Sequence, residues 1–363
     1  MAINLIGLNT DELRALAQQE AEPAYRGDQM AEWLYQRRAR VLDEMTNLPQ
    51  PLRERLSKKY EIGRLQVVTI SRSQDGTMKL LLAMPDGATV ETVGIPYADR
   101  FSGCVSTQVG CAVGCVFCAS GLGGYVRNLT AGEIVDQVLT VEEEAAKDQS
   151  QINGSFRRID HVTFMGMGEP LLNYASTLKA IQLLNAELGI AMRHLTVSTA
   201  GIVPGIMRLA QERLQINLAV SLHAATDDLR RRLTPGITKW NISDIIEACR
   251  HYIHLTGRRV TFEYCLLDGV NDSVAEAFEL ARILRGLNCH VNLIPYNPVG
   301  RLAFRATPPK QALAFRKILE RANIPVTQRM QRGADIDAAC GQLRRQTMAT
   351  ALKQPTSLHN SSV

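Results

Sequence analysis

The 363-residue chain has no apolar run near the length of a membrane span, and its start, MAINLIGLNTDEL, carries no basic leader. A bilayer crossing needs about 20 consecutive apolar residues, and an export signal needs a charged segment before its apolar one, so a cytoplasmic protein is expected. No internal repeat is visible, which excludes solenoids and propellers. Nor is there a strong charge bias. The 41 Lys and Arg against 36 Asp and Glu leave a formal charge of +5, too little to make the whole surface a polyanion-binding one. The excess is local: from Arg301 to Arg345 ten Lys and Arg face three Asp and Glu. That segment reads either as a surface for a polyanion or as a solvated basic helix face.

What is present is cysteine. Four of the eight lie between Cys104 and Cys118. A disulfide scaffold would require a much shorter, exported chain, so metal binding or catalysis in a reducing compartment is the better account. The centre of the pattern is Gly110-Cys111-Ala112-Val113-Gly114-Cys115-Val116-Phe117-Cys118, with thiols at CxxxCxxC. A zinc site would pair CxxC with a second ligand pair, and none lies nearby. Three thiolates can hold a 4Fe-4S cluster that normally takes four, which leaves one iron open to a small molecule. S-adenosylmethionine (SAM) with such a centre performs radical chemistry, and the segment resembles the radical SAM signature, Phe117 before the last cysteine included.

The rest of the chain is expected to fall into a helical module (1–60), a β meander (61–95), a main domain (96–345) and a disordered polar tail (346–363). Thr10 is the expected cap of the first helix, ahead of Asp11 and Glu12 and the stripe opened by Leu13 and Leu16. A second helix around Met30, Trp33 and Leu34 runs into Arg37-Arg38-Ala39-Arg40, and Leu52 and Leu56 mark a third. Apolar segments 65–71 and 78–84 and Thr89-Val90-Glu91-Thr92-Val93 make the meander, with Glu91 expected on its solvent face. After residue 100 six short β-type runs alternate with amphipathic helices: 104–106, 159–165, 195–198, 216–222, 260–266 and 291–294. Thr130 with Glu133, and Ser273 with Glu276, read as capping boxes. Six β/α units imply a parallel sheet curled into a partial barrel, with chemistry at the carboxyl ends of its strands. Glycines and polar residues suited to SAM fall there: Gly166-Met167-Gly168-Glu169-Pro170, Ser198-Thr199-Ala200-Gly201, Ser221-Leu222-His223 and Pro295-Tyr296-Asn297-Pro298. Cys249, Cys265 and Cys289 sit in apolar patterns and read as core residues. Cys340, framed by Asp335, Asp337 and glycines, reads as a loop residue.

These motifs, together with Cys104-Val105-Ser106-Thr107-Gln108-Val109-Gly110-Cys111, Arg127-Asn128-Leu129-Thr130 and the specific RGADIDAACGQL around Cys340, resemble the RlmN/Cfr class of radical SAM RNA adenine methyltransferases, closest to its RlmN branch. The resemblance spans nearly the whole chain; Arg26, Trp33 and DEMTNLP in residues 24–56 look like that family's accessory N-terminal domain. It implies a radical SAM partial (β/α)6 barrel with an N-terminal helical domain. It implies one 4Fe-4S cluster on Cys111, Cys115 and Cys118, and SAM on Gly168, Glu169, Ser198, Ser221, Leu222, His223 and Asn297, with His223 also readable as a structural histidine. An aromatic C–H is no nucleophile, so a methyl cannot simply pass from SAM to adenine. In the family one SAM methylates the cysteine matching Cys340. A radical from a second SAM takes a hydrogen from that S-methyl, and the carbon radical adds to adenine. By motif matching Glu91 then accepts the ring proton, and Cys104 attacks the Cys340 sulfur to release the base and leave a disulfide. The implied substrate is carbon 2 of adenine in 23S rRNA, and in tRNA beside the anticodon. The Cfr branch would methylate carbon 8, and a radical SAM enzyme for a small molecule or peptide, or a non-enzymatic RNA-binding iron-sulfur protein, are the more distant readings. An electron donor for cluster and disulfide is implied, no membrane partner, and a monomer.

Overall fold

The computed structural model describes residues 3–147, 158–300 and 302–344. The expected disordered tail at 346–363, and Arg301 and Arg345 at the ends of the basic segment, lie outside them. The chain opens with a short parallel pair, β1 (Ile3–Asn4) and β2 (Tyr60–Glu61). Between them lie helices Thr10–Gln19 and Tyr25–Ala31, a π turn over Glu32–Gln36, and a helix over Gln50–Ser57. The first helix is capped one residue earlier than expected. Asn9 accepts the Glu12 amide at 2.8 Å, while Glu12 accepts the Asn9 amide at 2.8 Å. Thr10 instead donates its hydroxyl to Glu187 at 2.7 Å. Both residue types cap well, and the neighbour that packs against Thr10 decides between them.

Strands β3 (Gln66–Arg72), β4 (Met78–Ala83) and β5 (Thr89–Pro96) form the antiparallel meander. They continue directly into the main sheet, because β5 pairs with β6 (Phe101–Cys104), Val93 opposite Cys104. A hairpin of β7 (Gln108–Gly110) and β8 (Tyr125–Asn128) then flanks the cysteine loop. The sheet proceeds through β9 (His161–Phe164), β10 (Leu195–Thr199), β11 (Asn217–Ser221), β12 (Val260–Leu266), β13 (Cys289–Pro295) and β14 (Val326–Gln328). Its order is β14-β13-β12-β11-β10-β9-β6-β5-β4-β3, and every neighbour from β6 to β14 is parallel. Five of the six expected parallel strands lie where the pattern put them; the first is shifted toward the N-terminus, since β6 covers Phe101–Cys104 and meets the expected 104–106 only at Cys104. The seventh, β14, is a three-residue edge that carries too little pattern to be read from sequence.

Helix Ala131–Lys147 shows why the connections fold as they do. Thr130 and Glu133 cap it reciprocally, at 3.1 and 2.8 Å, and Ile134, Val135, Val138, Leu139 and Val141 are buried in the core. In the second expected box only half forms: Ser273 accepts the Glu276 amide at 3.2 Å, whereas the Glu276 carboxylate accepts from the amide of Ala225. The N-terminal module is fixed to helix Ala131–Lys147 by charge. Arg64 pairs with Asp136 with both side chains at most 3% exposed, Arg38 pairs with Glu142, and Arg40 with Glu143 at 2.8 Å. Asp136 also accepts the Leu65 amide at 2.6 Å. Much of the basic run after residue 36 therefore holds two parts of the fold together. Removing one partner of a buried pair strands the other charge, at a cost of about 3 kcal/mol or more. Asp136→Ala is expected to lower unfolding stability in urea by about that amount and to make the 3–62 module sensitive to limited proteolysis.

Candidate active site

The cysteine loop leaves β7 through Gly110, whose φ is +76°; a Cβ there would lie 1.7 Å from the Gly124 carbonyl oxygen. Only glycine permits that approach. The loop is pinned from the far side, where the Val116 amide donates to Leu233 at 3.1 Å and the Gly236 amide to Val113 at 2.9 Å. It thereby brings Cys111, Cys115 and Cys118 to one cavity of about 180 Å³. Burial raises the Cys111 thiol to about 11 and that of Cys115 well above its ordinary value, and the neighbouring thiols add to both shifts. Cys111 and Cys115, buried beside a third thiol, stay protonated unless a cation offsets their charge. Among the described residues no three His, Cys, Asp or Glu side chains could hold a metal ion. A cluster of four irons is a wider body, ligated from separate corners, so the all-thiol donor set on one cavity wall suits it.

The expected SAM residues arrive from the carboxyl ends of neighbouring strands. After β9 the chain turns at Gly168, φ +103°, where a Cβ would meet Gln108 at 2.6 Å. Glu169 is buried and accepts the Leu171 and Ala200 amides at 3.0 and 2.7 Å; burial outweighs these bonds and pushes its carboxyl up to about 7. Ser198 on β10 and Ser221 on β11 bring their hydroxyls within 3.4 Å. His223, φ +59°, accepts the Cys265 amide on Nδ1 at 3.0 Å and packs edge-on against Phe117. With Nδ1 accepting, its proton stays on Nε2. Burial and the charge of Arg230 hold it neutral, its pKa down to about 3. Gly168, Glu169, Ser198, Ser221, His223 and Asn297 all line the cavity. Leu222 does not: its side chain is fully buried, and its amide donates to Glu263 at 3.0 Å.

Cys104, at the end of β6, and Cys340 line the same cavity. What brings them together is a strap, residues 333–344. It is tied to the β3–β4 turn by Ser73 to Asp335 at 2.6 Å and by the Gly333 amide to Asp75 at 3.0 Å. Lys79 on β4 donates to the Asp337 carbonyl at 3.0 Å. Asn297 donates to the Cys340 carbonyl at 2.9 Å. The Ala119 amide, next to Cys118, donates to Gly341 at 2.7 Å, and Ser120 to Leu343 at 2.6 Å. Burial keeps the Cys104 thiol raised, against the pull of Thr163 and Arg329, and brings Cys340 to about 11, with Arg329 opposing and Cys104 adding. Cys340 nonetheless keeps accessible surface, so it lines the cavity where an incoming molecule can reach it.

Glu91 differs from its sequence reading. It is 1% exposed, not on a solvent face, because the strap covers β5. Its carboxylate meets Lys79 at 3.2 Å and accepts the Arg344 amide at 2.8 Å; burial raises its pKa despite both. It is not among the cavity-lining residues. Cys265 is buried in the core as read and also lines the cavity, as do Glu263 and Arg329. Glu263 accepts from Asn292 at 2.8 Å. None of these three carried a sequence signal: two lie within an apolar strand, and Arg329 follows an edge strand too short to recognise.

An open sheet with a three-thiol loop and strand-end polar groups defines a radical SAM protein, and residues 105–281 match the Radical SAM superfamily. Residues 3–62 match the "Ribosomal RNA large subunit methyltransferase N-terminal domain". The chain is 48% identical over 341 residues to a protein of Thermosynechococcus vestitus named "Probable dual-specificity RNA methyltransferase RlmN", covering 94% of this chain and 98% of that one. It is 48% identical over 349 residues to a protein of the same name from Gloeobacter violaceus, covering 96% and 97%. A crystal structure of a radical SAM methyltransferase from Sphaerobacter thermophilus superposes with a TM-score of 0.89 at 46% identity, covering 94% and 99%. The chain belongs to the RlmN family of radical SAM RNA methyltransferases, and with that to the enzymes that use a 4Fe-4S cluster and SAM. Among the described residues no helix is long and apolar enough to cross a membrane.

Because Gly110 alone fits against the Gly124 carbonyl, Gly110→Ala is expected to displace the loop. After anaerobic reconstitution its iron content per chain should fall by more than half, while far-ultraviolet circular dichroism stays that of the parent.

Proposed function

We propose that this enzyme methylates carbon 2 of an adenine in 23S rRNA, and in tRNA beside the anticodon, through an S-methyl group carried on Cys340. The observation that carries this reading is that Cys104, at the end of β6, and Cys340, on the strap more than two hundred residues later, line the cavity that also holds the three loop thiols. A radical SAM enzyme that acted directly on its substrate would need neither thiol there.

When bound, the cluster and SAM supply a carbon-centred radical able to abstract hydrogen from an unactivated methyl group. Cys111, Cys115 and Cys118 hold the cluster. Glu169, its carboxylate fixed by two amides, takes the SAM amino group, and Ser198, Ser221 and Asn297 take its hydroxyls and carboxylate. Cys340 accepts a methyl by displacement, gives up one of its hydrogens and joins the adenine ring through the remaining carbon. The odd electron left on the ring returns to the one-electron donor that SAM cleavage requires. Cys104 then attacks the Cys340 sulfur, so the sulfur–carbon bond breaks as a disulfide forms. The released carbon takes up a proton to become the methyl group, and a cytoplasmic reductant restores both thiols. Glu91 is the proton acceptor of this scheme. Its raised pKa suits a base, and to reach the ring it must first release the Arg344 amide, which ties the proton step to movement of the strap. The base is presented by unstacking it from an RNA loop.

The test uses the Cys104→Ala enzyme, reconstituted anaerobically and given SAM, a reductant and a 23S rRNA fragment. A covalent adduct of RNA on Cys340, seen on a denaturing gel and located by mass spectrometry, is expected. Unmodified RNA with SAM still cleaved would remove the role of Cys104. Nucleoside analysis of wild-type product separates carbon 2 from carbon 8. Glu91→Gln should still acquire the S-methyl on Cys340 yet accumulate the same adduct, with product formation down by about a hundredfold, the scale of a lost general base. Normal turnover in that variant would leave Glu91 only the task of holding the strap.

A further inference from the structure

The cavity opening has a composition of its own. Most lining residues are buried, but Met330 is 75% exposed, Cys340 is exposed, and Tyr97 and Arg332 are half-buried. An apolar side chain that open, on the rim of a catalytic cavity, marks a surface that something covers. Beside it the Tyr97 ring carries two guanidinium groups: the Cζ of Arg100 lies 4.1 Å from the ring centroid and that of Arg332 5.5 Å. They come from separate parts of the fold. Tyr97 and Arg100 close the β5–β6 turn, with the Tyr97 amide donating to the Arg100 carbonyl at 2.8 Å; Arg332 precedes the strap. Each cation also has a carboxylate within ion-pair distance: Arg100 donates to both oxygens of its exposed neighbour Asp99 at 3.4 Å, and Arg332 lies 3.9 Å from Asp75. Neither pair is buried, so both guanidiniums stay open to a phosphate.

We propose that Tyr97, with Arg100 and Arg332, is the platform on which the RNA strand beside the target adenosine stacks while the adenine occupies the cavity. The proposal rests on the reading that an RNA base enters this cavity, and it adds where the flanking nucleotide is held. A ring and two planar cations in contact present stacking faces that accept any base, and the same guanidiniums pair with the phosphates that follow it. The methionine supplies an apolar floor at the rim. A small-molecule or peptide substrate would give no reason for two cations with phosphate-compatible forks at one opening.

The test is the affinity of a 23S rRNA hairpin fragment for the reconstituted enzyme, by fluorescence anisotropy, alongside KM and kcat for that RNA and the S-methyl content of Cys340. Tyr97→Ala is expected to weaken RNA binding and raise KM about tenfold, the scale of one lost base stack, with kcat within about twofold and Cys340 methylated as in the parent. Tyr97→Phe should bind as the parent does, since the ring and not the hydroxyl stacks. Arg100→Gln should lower the slope of log affinity against log salt by about one unit. Unchanged affinity in Tyr97→Ala would overturn the proposal. So would loss of Cys340 methylation in step with RNA binding, because that pattern belongs to a residue that merely supports the fold. A parent enzyme with no S-methyl on Cys340 would instead defeat the proposed reaction, and the direct RNA affinities would still decide the role of Tyr97.

Discussion

The chemistry we propose for this enzyme depends on one set of hydrogen bonds: those that hold the 333–344 strap across the sheet. A cysteine near the C-terminus has no local reason to lie beside a cluster loop formed by residues 111–118. Hydrogen bonds to its backbone place it there, from the Ala119 amide to Gly341 beside the loop and from the Asn297 side chain to the Cys340 carbonyl just after β13. At the other side Ser73, Asp75, Lys79 and Glu91 tie the strap to the meander. Cys340 therefore sits on a tether anchored at both ends, which gives its sulfur a defined position while leaving its surface open.

This arrangement gives the meander a purpose. Its three strands add an antiparallel wing to a parallel barrel sheet, and that wing is what the strap is tied to. Glu91 lies at the crossing. One carboxylate oxygen meets Lys79 and the other the Arg344 amide, so the group we propose as the base also secures the strap that bears Cys340. A raised pKa from burial keeps it basic, and coupling its release to strap movement would keep it from meeting substrate before the adduct exists. On the opposite side, the charges of Arg38, Arg40 and Arg64 fasten the N-terminal module to helix Ala131–Lys147. These arginines are occupied within the protein.

Much of the site was legible in the sequence because its chemistry needs fixed spacing. The three thiols of CxxxCxxC, Gly168 and Glu169, Ser198, Ser221, His223 and Asn297 all follow strands whose β pattern is plain, and strand ends in a parallel sheet converge. The helix cap at Asn9 was missed by one residue, since two good caps stood side by side and a distant partner, Glu187, chose between them. Glu91 was read as exposed, since nothing in a strand's own pattern says that a segment more than two hundred residues later will lie over it. Cys265 was read as core and is buried there, but an apolar strand gives no sign that one of its side chains also lines a cavity.

The sequence by itself determined the alternation of strand and helix, the three-thiol loop with the glycine it turns on, and the polar groups at strand ends, because each follows from local periodicity or from steric need at one residue. Only the tertiary structure decided that Cys104 and Cys340 share a cavity, that Glu91 is sealed beneath the strap, and that Tyr97 meets Arg332 at the rim. Those facts join segments far apart in the chain, and the hydrogen bonds and packing that join them are made only when the whole sheet has closed.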